Sequence, residues 1–290
     1  MPDPRIVSYT DVLGHDIQWS TPPQRIVSLS PNITEILFAL EAGEAVVGVT
    51  RFCNYPPQVD QLPKVGGVVD PSLEAILELN PDLVLATRGN PLEFIESLVE
   101  LGIPVFALET RGTIEQLIVS VREIGAVTGR NREAAVLIQD LQEQWRVVLR
   151  VTRDLPPESR PRVYYGELDG AFWTAGPGSY IHSLIEDAGA ENVAWQAPSA
   201  WCALSLEVIV AGDPEVYLGT YAGPDTPEAR TAAEAEVRTF LQTHPVWSQT
   251  TLGRNPRIFM VQEDRLLRPG PRVFAVLREL ARFLHPDLRI

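Results

Sequence analysis

One segment of this chain occurs twice. Residues 72–87 read Ser-Leu-Glu, an apolar stretch, Asn-Pro-Asp and a second apolar stretch, and residues 205–220 repeat this order with Asp-Pro-Glu in the middle. The offset between the copies is 205 − 72 = 133 positions. A looser repeat relates residues 34–43 to residues 180–189 in the same order. Two ordered matches indicate a duplicated structural unit, so we expect a fold with two similar halves.

Between the two copies, residues 131–155 carry the pattern of one long amphipathic helix. Asn131 stands at the N-cap position, and Pro156 and Pro157 cannot continue a helix. At about 1.5 Å per residue the helix would be roughly 35 Å long, enough for a rigid rod between two lobes. The residues that share its predicted apolar face, at steps of three and four, are Ala134, Leu137, Ile138, Leu141, Trp145, Val148 and Thr152.

The rest of the sequence alternates between short apolar runs and helical patterns. Continuous apolar runs are typical of strands in parallel sheets that helices cover on both faces. The first half is predicted to contain a hairpin (5–9, 15–19), strands at 25–29, 46–49, 83–86 and 105–108, and helices at 30–41, 73–79, 91–101 and 113–127. The second half, besides its repeat copy, is predicted to contain strands at 162–165 and 257–261, helices at 180–187, 228–241 and 272–284, and loops at 166–178 and 195–202.

These elements predict an α/β fold of two similar lobes with mainly parallel central sheets, joined by one long rigid helix. The predicted N-terminal lobe is residues 1–128, the connecting helix lies within residues 129–156, and the C-terminal lobe is residues 157–290. A chain of 290 residues is long enough for two hydrophobic cores.

Charge and composition exclude several classes of partner. A net charge of −14 argues against nucleic acid or an anionic membrane surface, because binding phosphate groups requires clustered Lys and Arg. No apolar run approaches the roughly 20 residues of a transmembrane helix, so none is expected. No apolar run follows the first residues either, which predicts a mature form without a signal peptide or a cytoplasmic protein. Cys53 and Cys202 are too few for a disulfide framework, and we expect them to be buried as small apolar residues.

Aromatic residues cluster in the segments that follow predicted strands. In parallel α/β sheets, ligands bind beyond the carboxyl ends of the strands. Aromatic rings in Gly- and Pro-rich loops offer flat faces to a large planar or apolar ligand, although each ring could instead fill the core of its own lobe. The candidate ligand-binding residues of this kind are Phe52, Tyr55, Phe172, Trp173, Trp195 and Trp201.

Nothing in the sequence requires catalysis. The four histidines lack metal-ligand spacing, so no metal site is predicted. The sequence contains no Gly-x-Ser-x-Gly elbow, and no Lys follows the Gly-Pro-Gly-Ser stretch at residues 176–179 as a phosphate loop would require. We therefore predict no catalytic residue and no catalytic cofactor.

Glu74 and Glu207 occupy matching positions at the start of the two repeat helices. A carboxylate there is favoured by the helix dipole, which is sufficient to explain each one. If the lobes are related by pseudo-symmetry, the two carboxylates also become matched docking points for a roughly two-fold basic partner.

Several motifs resemble a known family. They are Pro-Pro-Gln-Arg-Ile-Val-Ser-Leu-Ser-Pro at 22–31, Thr-Glu at 34–35, Tyr-Pro-Pro at 55–57, Leu-Pro-Lys-Val-Gly-Gly at 62–67 and the first repeat copy. In these, and over nearly its whole length, the chain is similar to the substrate-binding proteins of ABC importers for cobalamin and ferric siderophores. The Tyr-Pro-Pro motif favours the cobalamin branch.

The resemblance implies a class III periplasmic binding protein that grips a corrinoid in the cleft between its lobes. By position, Tyr55, Trp173 and Trp201 would line that cleft, and Arg268 would lie near it with Glu263 or Asp264 as the neighbouring acid. The departure from the cobalamin binders is that residues 66–70, Gly-Gly-Val-Val-Asp, lack the tryptophan that some of them carry there.

The resemblance also implies the partners. Glu74 and Glu207 correspond to the two glutamates that meet arginines of the permease, so the expected partners are the ABC permease with its ATPase and the transported corrinoid. We expect a monomer when free, located in the periplasm or elsewhere outside the cytoplasm, or attached by a lipid anchor.

Two alternatives stay open at this point. The same fold could bind a ferric siderophore or haem, although such anionic ligands call for more cationic side chains than the loops contain. From another class, the chain could be a cytoplasmic corrinoid-handling protein or enzyme.

Overall fold

A computed structural model describes residues 7–110 and 112–289, and the chain divides into two compact units. Of the described residues, the first unit holds 7–110 and 115–141, and the second holds 112–114 and 142–289. Arg5 and Ile6, which begin the predicted first strand, lie outside the described residues. The three-part division into 1–128, 129–156 and 157–290 stays a prediction.

The first unit starts with a hairpin and continues with alternating strands and helices. The hairpin strands β1 (Val7–Thr10) and β2 (Asp16–Trp19) pair antiparallel. The elements that follow are β3 (Ile26–Ser28), α1 (Pro31–Ala39), β4 (Val46–Val49), α2 (Leu73–Glu78), β5 (Leu83–Thr87), α3 (Leu92–Glu100), β6 (Val105–Leu108) and α4 (Ile114–Val127). Short 3-10 segments lie at Gly43–Ala45 and Pro57–Gln61.

The central sheet of this unit is parallel throughout, with the strand order β4-β3-β5-β6. Its register pairs Val27 with Val84 and Val84 with Val105, and these three side chains are fully or almost fully buried. Helices contribute Ile76 and Leu98 to the same core. Since such strands are buried on both faces, they appear in the sequence as unbroken apolar runs, which is why their positions are predicted correctly. All four carboxyl ends lie at one edge of the sheet.

A single helix, α5 (Asn131–Thr152), contributes residues to both units, with the division falling between Leu141 and Gln142. Ala134, Leu141 and Val148, which belong to its predicted apolar face, are buried, and the prediction is confirmed at these residues. The helix ends three residues earlier than predicted. At this end the Thr152 hydroxyl, besides its bond to Val148, donates to the carbonyl oxygen of Asp187 at 2.7 Å.

The second unit repeats the alternation of strands and helices. Its elements are β7 (Arg162–Tyr165), β8 (Trp173–Ala175), α6 (Tyr180–Asp187), β9 (Glu191–Asn192), β10 (Trp201–Ala203), α7 (Leu206–Ala211), β11 (Val216–Tyr221), α8 (Pro227–Thr243), α9 (Thr251–Arg254), β12 (Arg257–Gln262), α10 (Glu263–Leu267) and α11 (Arg272–Leu284). Short 3-10 segments lie at Pro157–Ser159 and Trp247–Gln249. The main sheet is parallel with the order β12-β11-β7-β9. The predicted α/β fold with two similar units and parallel central sheets is thus confirmed.

The prediction of plain loops at residues 166–178 and 195–202 is wrong in part. Strands β8 and β10, which begin at Trp173 and Trp201, pair antiparallel into a two-stranded ribbon beside the main sheet. Each strand has three residues, too few for an alternating pattern to be recognised among the surrounding Gly and Pro residues.

In the first unit, an arginine binds the end of the helix in the repeated segment. Nε of Arg25 donates to the carbonyl oxygens of Leu79 at 3.0 Å and Asn80 at 3.2 Å, just beyond α2. Asn80 has a φ of 45°, the left-handed conformation that commonly ends a helix. The carboxylate of Asp82 accepts the Arg25 backbone N–H at 2.9 Å, and the Asp82 N–H donates to the Arg25 carbonyl at 2.9 Å. The end of α2 is therefore joined to the start of β3.

Arg162 makes the same set of contacts in the second unit. Its Nε donates to the carbonyl oxygens of Gly212 at 3.1 Å and Asp213 at 2.9 Å, just beyond α7. Asp213 has a φ of 40°. The carboxylate of Glu215 accepts the Arg162 N–H at 3.0 Å, and the Glu215 N–H donates to the Arg162 carbonyl at 2.8 Å. The duplication visible in the sequence is thus a duplication of hydrogen bonds as well.

Replacing Arg162 with alanine should lower the free energy of unfolding by about 1–2 kcal/mol. The substitution leaves the carbonyls at the end of α7 without their charged donor, and removes an interaction with the negative end of that helix. Urea-induced unfolding followed by circular dichroism would measure the change.

The matched control is Arg146→Ala, which removes an exposed arginine of α5. Among the described residues, the ion pair of Arg146 is with Glu143, three positions earlier on the same helix. Exposed pairs of this kind contribute at most about 1 kcal/mol. Equal losses in the two variants would contradict a special role for Arg162.

Candidate functional site

The loop after β4 presents two aromatic side chains at the carboxyl edge of the first sheet. Phe52 is 47% exposed and Tyr55 is 43% exposed. Cys53, between them, is buried, and its Sγ lies 3.2 Å from the Thr34 hydroxyl and 3.1 Å from the Thr50 hydroxyl. A buried thiol therefore anchors the loop while its aromatic neighbours face outward. The expected burial of Cys53 is confirmed, whereas Cys202 in β10 is only partly buried.

Asn90 organises the same edge, and the sequence gives no sign of it. Its Oδ1 accepts the Thr87 N–H at 2.8 Å, at the end of β5. Its Nδ2 donates to the carbonyl oxygens of Leu29 at 3.2 Å and Val68 at 2.8 Å. One buried amide thus joins the ends of β3 and β5 to the segment before α2. The contacts with Leu29 and Val68, 61 and 22 positions away, leave no local pattern that a single sequence could reveal.

In the second unit, the ribbon brings two predicted site residues together. Its register pairs Trp173 with Ala203 and Trp201 with Ala175. Paired residues share a face of a two-stranded ribbon, and so do residues two positions apart along a strand. Trp173 and Trp201 therefore project from the same face. Trp173 is 52% exposed, whereas the Trp201 ring packs against Tyr180 with a centroid distance of 5.8 Å.

Tyr180 also connects this ribbon to the segment that carries Arg268. Its hydroxyl donates to the carbonyl oxygen of Leu266 at 3.0 Å. The Arg268 guanidinium lies 2.6 Å from Asp264 Oδ1, and the two side chains are only 14% and 18% exposed. Of the two acids expected near this arginine, the structure places Asp264 against it. The positive charge of Arg268 is therefore matched by a carboxylate within its own unit.

Two other predicted aromatic residues lie apart from this face. Phe172 has a φ of 51° and packs against the core of the second unit, so its ring is partly buried. Trp195 is 53% exposed and lines a separate open cavity of about 390 Å³ with His182, Glu186 and Glu191. Their roles as ligand contacts stay predictions.

Glu74 and Glu207 have the same surroundings in the two units. Each is the second residue of its helix and is exposed to solvent. The N-cap hydroxyls of Ser72 and Ser205 accept the backbone N–H three residues on, at 3.3 Å and 3.4 Å. Hydrogen bonds from its own N–H and from Ser205 lower the pKa of Glu207, so this carboxylate is ionised at neutral pH.

The structure therefore offers exposed aromatic faces at the carboxyl edges of both sheets and an exposed carboxylate on each repeat helix. Over residues 7–110 and 112–289, no helix is both long enough and apolar enough to cross a membrane.

Comparisons with known proteins agree with this architecture. Residues 26–264 match the family described as periplasmic binding protein. The cobalamin-binding protein of Halobacterium salinarum strain R1 is 30% identical over 283 residues, which cover 96% of this chain and 74% of that protein. The uncharacterized ABC transporter substrate-binding lipoprotein YvrC of Bacillus subtilis is 26% identical over 285 residues, which cover 97% of this chain and 86% of the relative.

A solved structure extends the comparison. The apo form of the periplasmic haem-binding protein RhuT from Roseiflexus sp. RS-1 superposes with a TM-score of 0.76 at 27% identity, covering 91% of this chain and 98% of that one. This chain is thus similar both to a protein named for binding cobalamin and to a protein named for binding haem, two large ring ligands.

Stability should fall as the pH is lowered below about 6.5, the usual pKa of histidine. Asn192 Oδ1 accepts the Ala194 N–H at 3.0 Å, so its Nδ2 is the group that lies 3.1 Å from His182 Nδ1, which must then accept. Burial lowers the pKa of His182, partly opposed by Glu186. As the pH falls, the unfolded chain binds a proton that folded His182 binds only at lower pH, and folding loses free energy. Thermal unfolding from pH 8 to pH 5 would measure this.

His182→Asn keeps an acceptor for Asn192 and removes the titrating group, so its melting temperature should depend less steeply on pH. The slope that remains should come in part from His285, whose pKa burial also lowers. Identical slopes in the wild type and the variant would contradict a contribution from His182.

Proposed function

This chain belongs to the periplasmic binding protein family, and from that premise we propose that it is the substrate-binding component of an ABC importer and that its ligand is cobalamin or a related corrinoid. Tyr55, Trp173 and Trp201 are the proposed principal contacts. The protein would carry the ligand outside the cytoplasm to a membrane permease and its ATPase. It would act without catalysing a reaction, and the corrinoid would be cargo rather than cofactor.

The observation that carries the proposal is the set of aromatic side chains at the carboxyl edges of the sheets, of which Tyr55 and Trp173 are about half exposed and Trp201 is partly buried. A corrin ring is broad and largely apolar over its faces, and aromatic side chains pack well against such surfaces. Tyr55 supplies such a face in the first unit. In the second unit, Trp173 and Trp201 share one face of the ribbon, so a single large ring could contact both.

Charge favours a corrinoid over an anionic iron chelate. The arginines that the sequence places in these loops, Arg51, Arg88 and Arg268, each pair with a carboxylate, at 2.8, 3.9 and 2.6 Å. A ferric siderophore or the propionates of haem would have to compete with those carboxylates for the guanidinium groups. The corrin ring of cobalamin carries mostly neutral amide side chains, so it makes a weaker demand on guanidinium groups than a ligand with several anionic groups. The similarity to a haem-binding protein nevertheless makes haem the second candidate.

The proposed docking residues are Glu74 and Glu207. Both are exposed, both are held by the same N-cap geometry, and both stand on the duplicated helix. Two equivalent carboxylates suit a partner made of two equivalent halves with basic groups, as expected of a permease. The similarity to an ABC transporter substrate-binding lipoprotein supports this partner and a location outside the cytoplasm.

Titration with cyanocobalamin should quench tryptophan fluorescence to saturation at micromolar ligand or below. Trp201→Ala and Tyr55→Ala should each weaken the affinity by about 10-fold or more, because each removes an aromatic contact of the kind that dominates binding. Isothermal titration calorimetry would measure the affinities of the variants independently of their fluorescence.

Trp19→Phe is the matched control. Trp19 packs against Tyr9 in the N-terminal hairpin, so this substitution should leave the affinity unchanged. Tight binding of hemin with no binding of cyanocobalamin would replace the corrinoid assignment with haem. Binding of neither would reject both.

The double variant Glu74→Ala, Glu207→Ala should abolish corrinoid uptake while its affinity for cyanocobalamin stays at the wild-type value. Both carboxylates are exposed, so their removal should cost the fold little. Uptake would be measured with the cognate permease reconstituted in proteoliposomes.

Glu93→Ala with Glu228→Ala is the control, because these exposed glutamates also stand in the first turn of helices, α3 and α8. Uptake that survives in the first pair, or fails equally in the control pair, would reject the docking assignment.

A further inference from the structure

The loop after β4 and the turn before α2 form an arrangement that we call the Arg51 stack, made of Arg51, Phe52, Gly67 and Asp70. The guanidinium carbon of Arg51 lies 4.9 Å from the centre of the Phe52 ring. Its Nη2 donates to both carboxylate oxygens of Asp70, at 2.8 and 2.9 Å. The backbone N–H of Arg51 donates to the Gly66 carbonyl at 2.8 Å, which fixes the distance between the two chain segments.

Gly67 leaves the space that the stack occupies. A Cβ at this position would lie 2.7 Å from Arg51 Nη2 and 2.8 Å from its guanidinium carbon, and would also overlap the Asp70 carboxylate. Any side chain at residue 67 would therefore displace the ion pair. The Gly67 N–H donates to the Asp70 carbonyl at 3.2 Å, which holds the tight turn that brings the carboxylate back to the arginine.

Stability alone does not account for this arrangement. The side chains of Arg51 and Asp70 are 47% and 58% exposed, and ion pairs this accessible contribute little to folding because water screens them. The Phe52 ring is about half exposed, so it keeps a surface for another molecule while the guanidinium covers part of it. A guanidinium over a ring face attracts the ring, so the stack favours one orientation of an exposed aromatic side chain.

We propose that Arg51 is a positioning residue for ligand binding, which holds the Phe52 ring in place as a preformed contact for the apolar face of the ligand. The inference rests on the proposed function and deepens it by assigning a ring contact to Phe52 and an indirect role to Arg51. Ligand binding then avoids the entropy cost of ordering the ring. Asp70 and Gly67 support Arg51, one by charge and one by leaving room.

A double-mutant cycle with cyanocobalamin tests this. Arg51→Lys keeps the charge for Asp70 but loses the planar group that stacks on the ring, so the affinity should fall by about 3- to 10-fold. Phe52→Ala should weaken binding further. In the Phe52→Ala background, Arg51→Lys should have no additional effect, because there is no ring left to position. Calorimetry measures all four affinities.

Arg146→Lys, in an exposed pair on α5, is the matched control and should bind like the wild type. The melting temperature of Arg51→Lys should also stay at the wild-type value, since an exposed ion pair is retained. Gly67→Ala should reproduce the loss of affinity by displacing the guanidinium. NMR relaxation of the Arg51 Nε–H in the ligand-free wild type should report a rigid group.

The outcomes separate this inference from the proposed function. Failure of the wild type to bind cyanocobalamin would reject the corrinoid assignment and the positioning role together. Binding by the wild type with unchanged affinity in Arg51→Lys would reject the positioning role alone. Additive losses in the cycle, a large fall in melting temperature, or a mobile Arg51 in the ligand-free protein would reject it as well.

Discussion

One interaction recurs at the same place in both units: an arginine at the start of the first strand of the main sheet binds the carbonyl oxygens at the end of the repeat helix. Arg25 and Arg162 each make it, and the carboxylate of Asp82 or Glu215, just before the neighbouring strand, accepts the backbone N–H of the same arginine. Helix end, first strand and neighbouring strand are thereby fixed at a single point. Because the strands of each main sheet pair parallel, their carboxyl ends lie at the same edge of the sheet.

Buried side chains then hold the loops at that edge in place. Asn90 joins the ends of two strands to the segment before α2, and the buried Cys53 holds the loop that presents Tyr55. In the second unit, Tyr180 links the tryptophan ribbon to the segment before Arg268. The arginines of these loops pair with carboxylates, whereas Phe52, Tyr55 and Trp173 keep about half of their side-chain surface exposed. That distribution is the basis on which we propose a ligand with an apolar surface and low charge.

Much of the fold can be predicted from the sequence, because parallel strands buried on both faces appear as continuous apolar runs and the long helix appears as apolar residues at steps of three and four. The duplicated segment shows that there are two related units. The ribbon of β8 and β10 could not be predicted, since its two strands are very short and are separated from each other in the chain. The candidate aromatics could be selected by their place after strands. That rule does not tell Trp173, which is exposed, from Phe172, which packs on the core one residue earlier.

The ribbon also shows how strongly such a surface depends on strand pairing. Trp173 and Trp201 share a face only because of the way in which the two strands pair. Side chains alternate along a strand, so sliding one strand by a single residue would send the two indoles to opposite sides without replacing either. The pairing register of the ribbon, and not only the identity of its residues, therefore decides whether the two proposed tryptophan contacts can meet one face of a ligand.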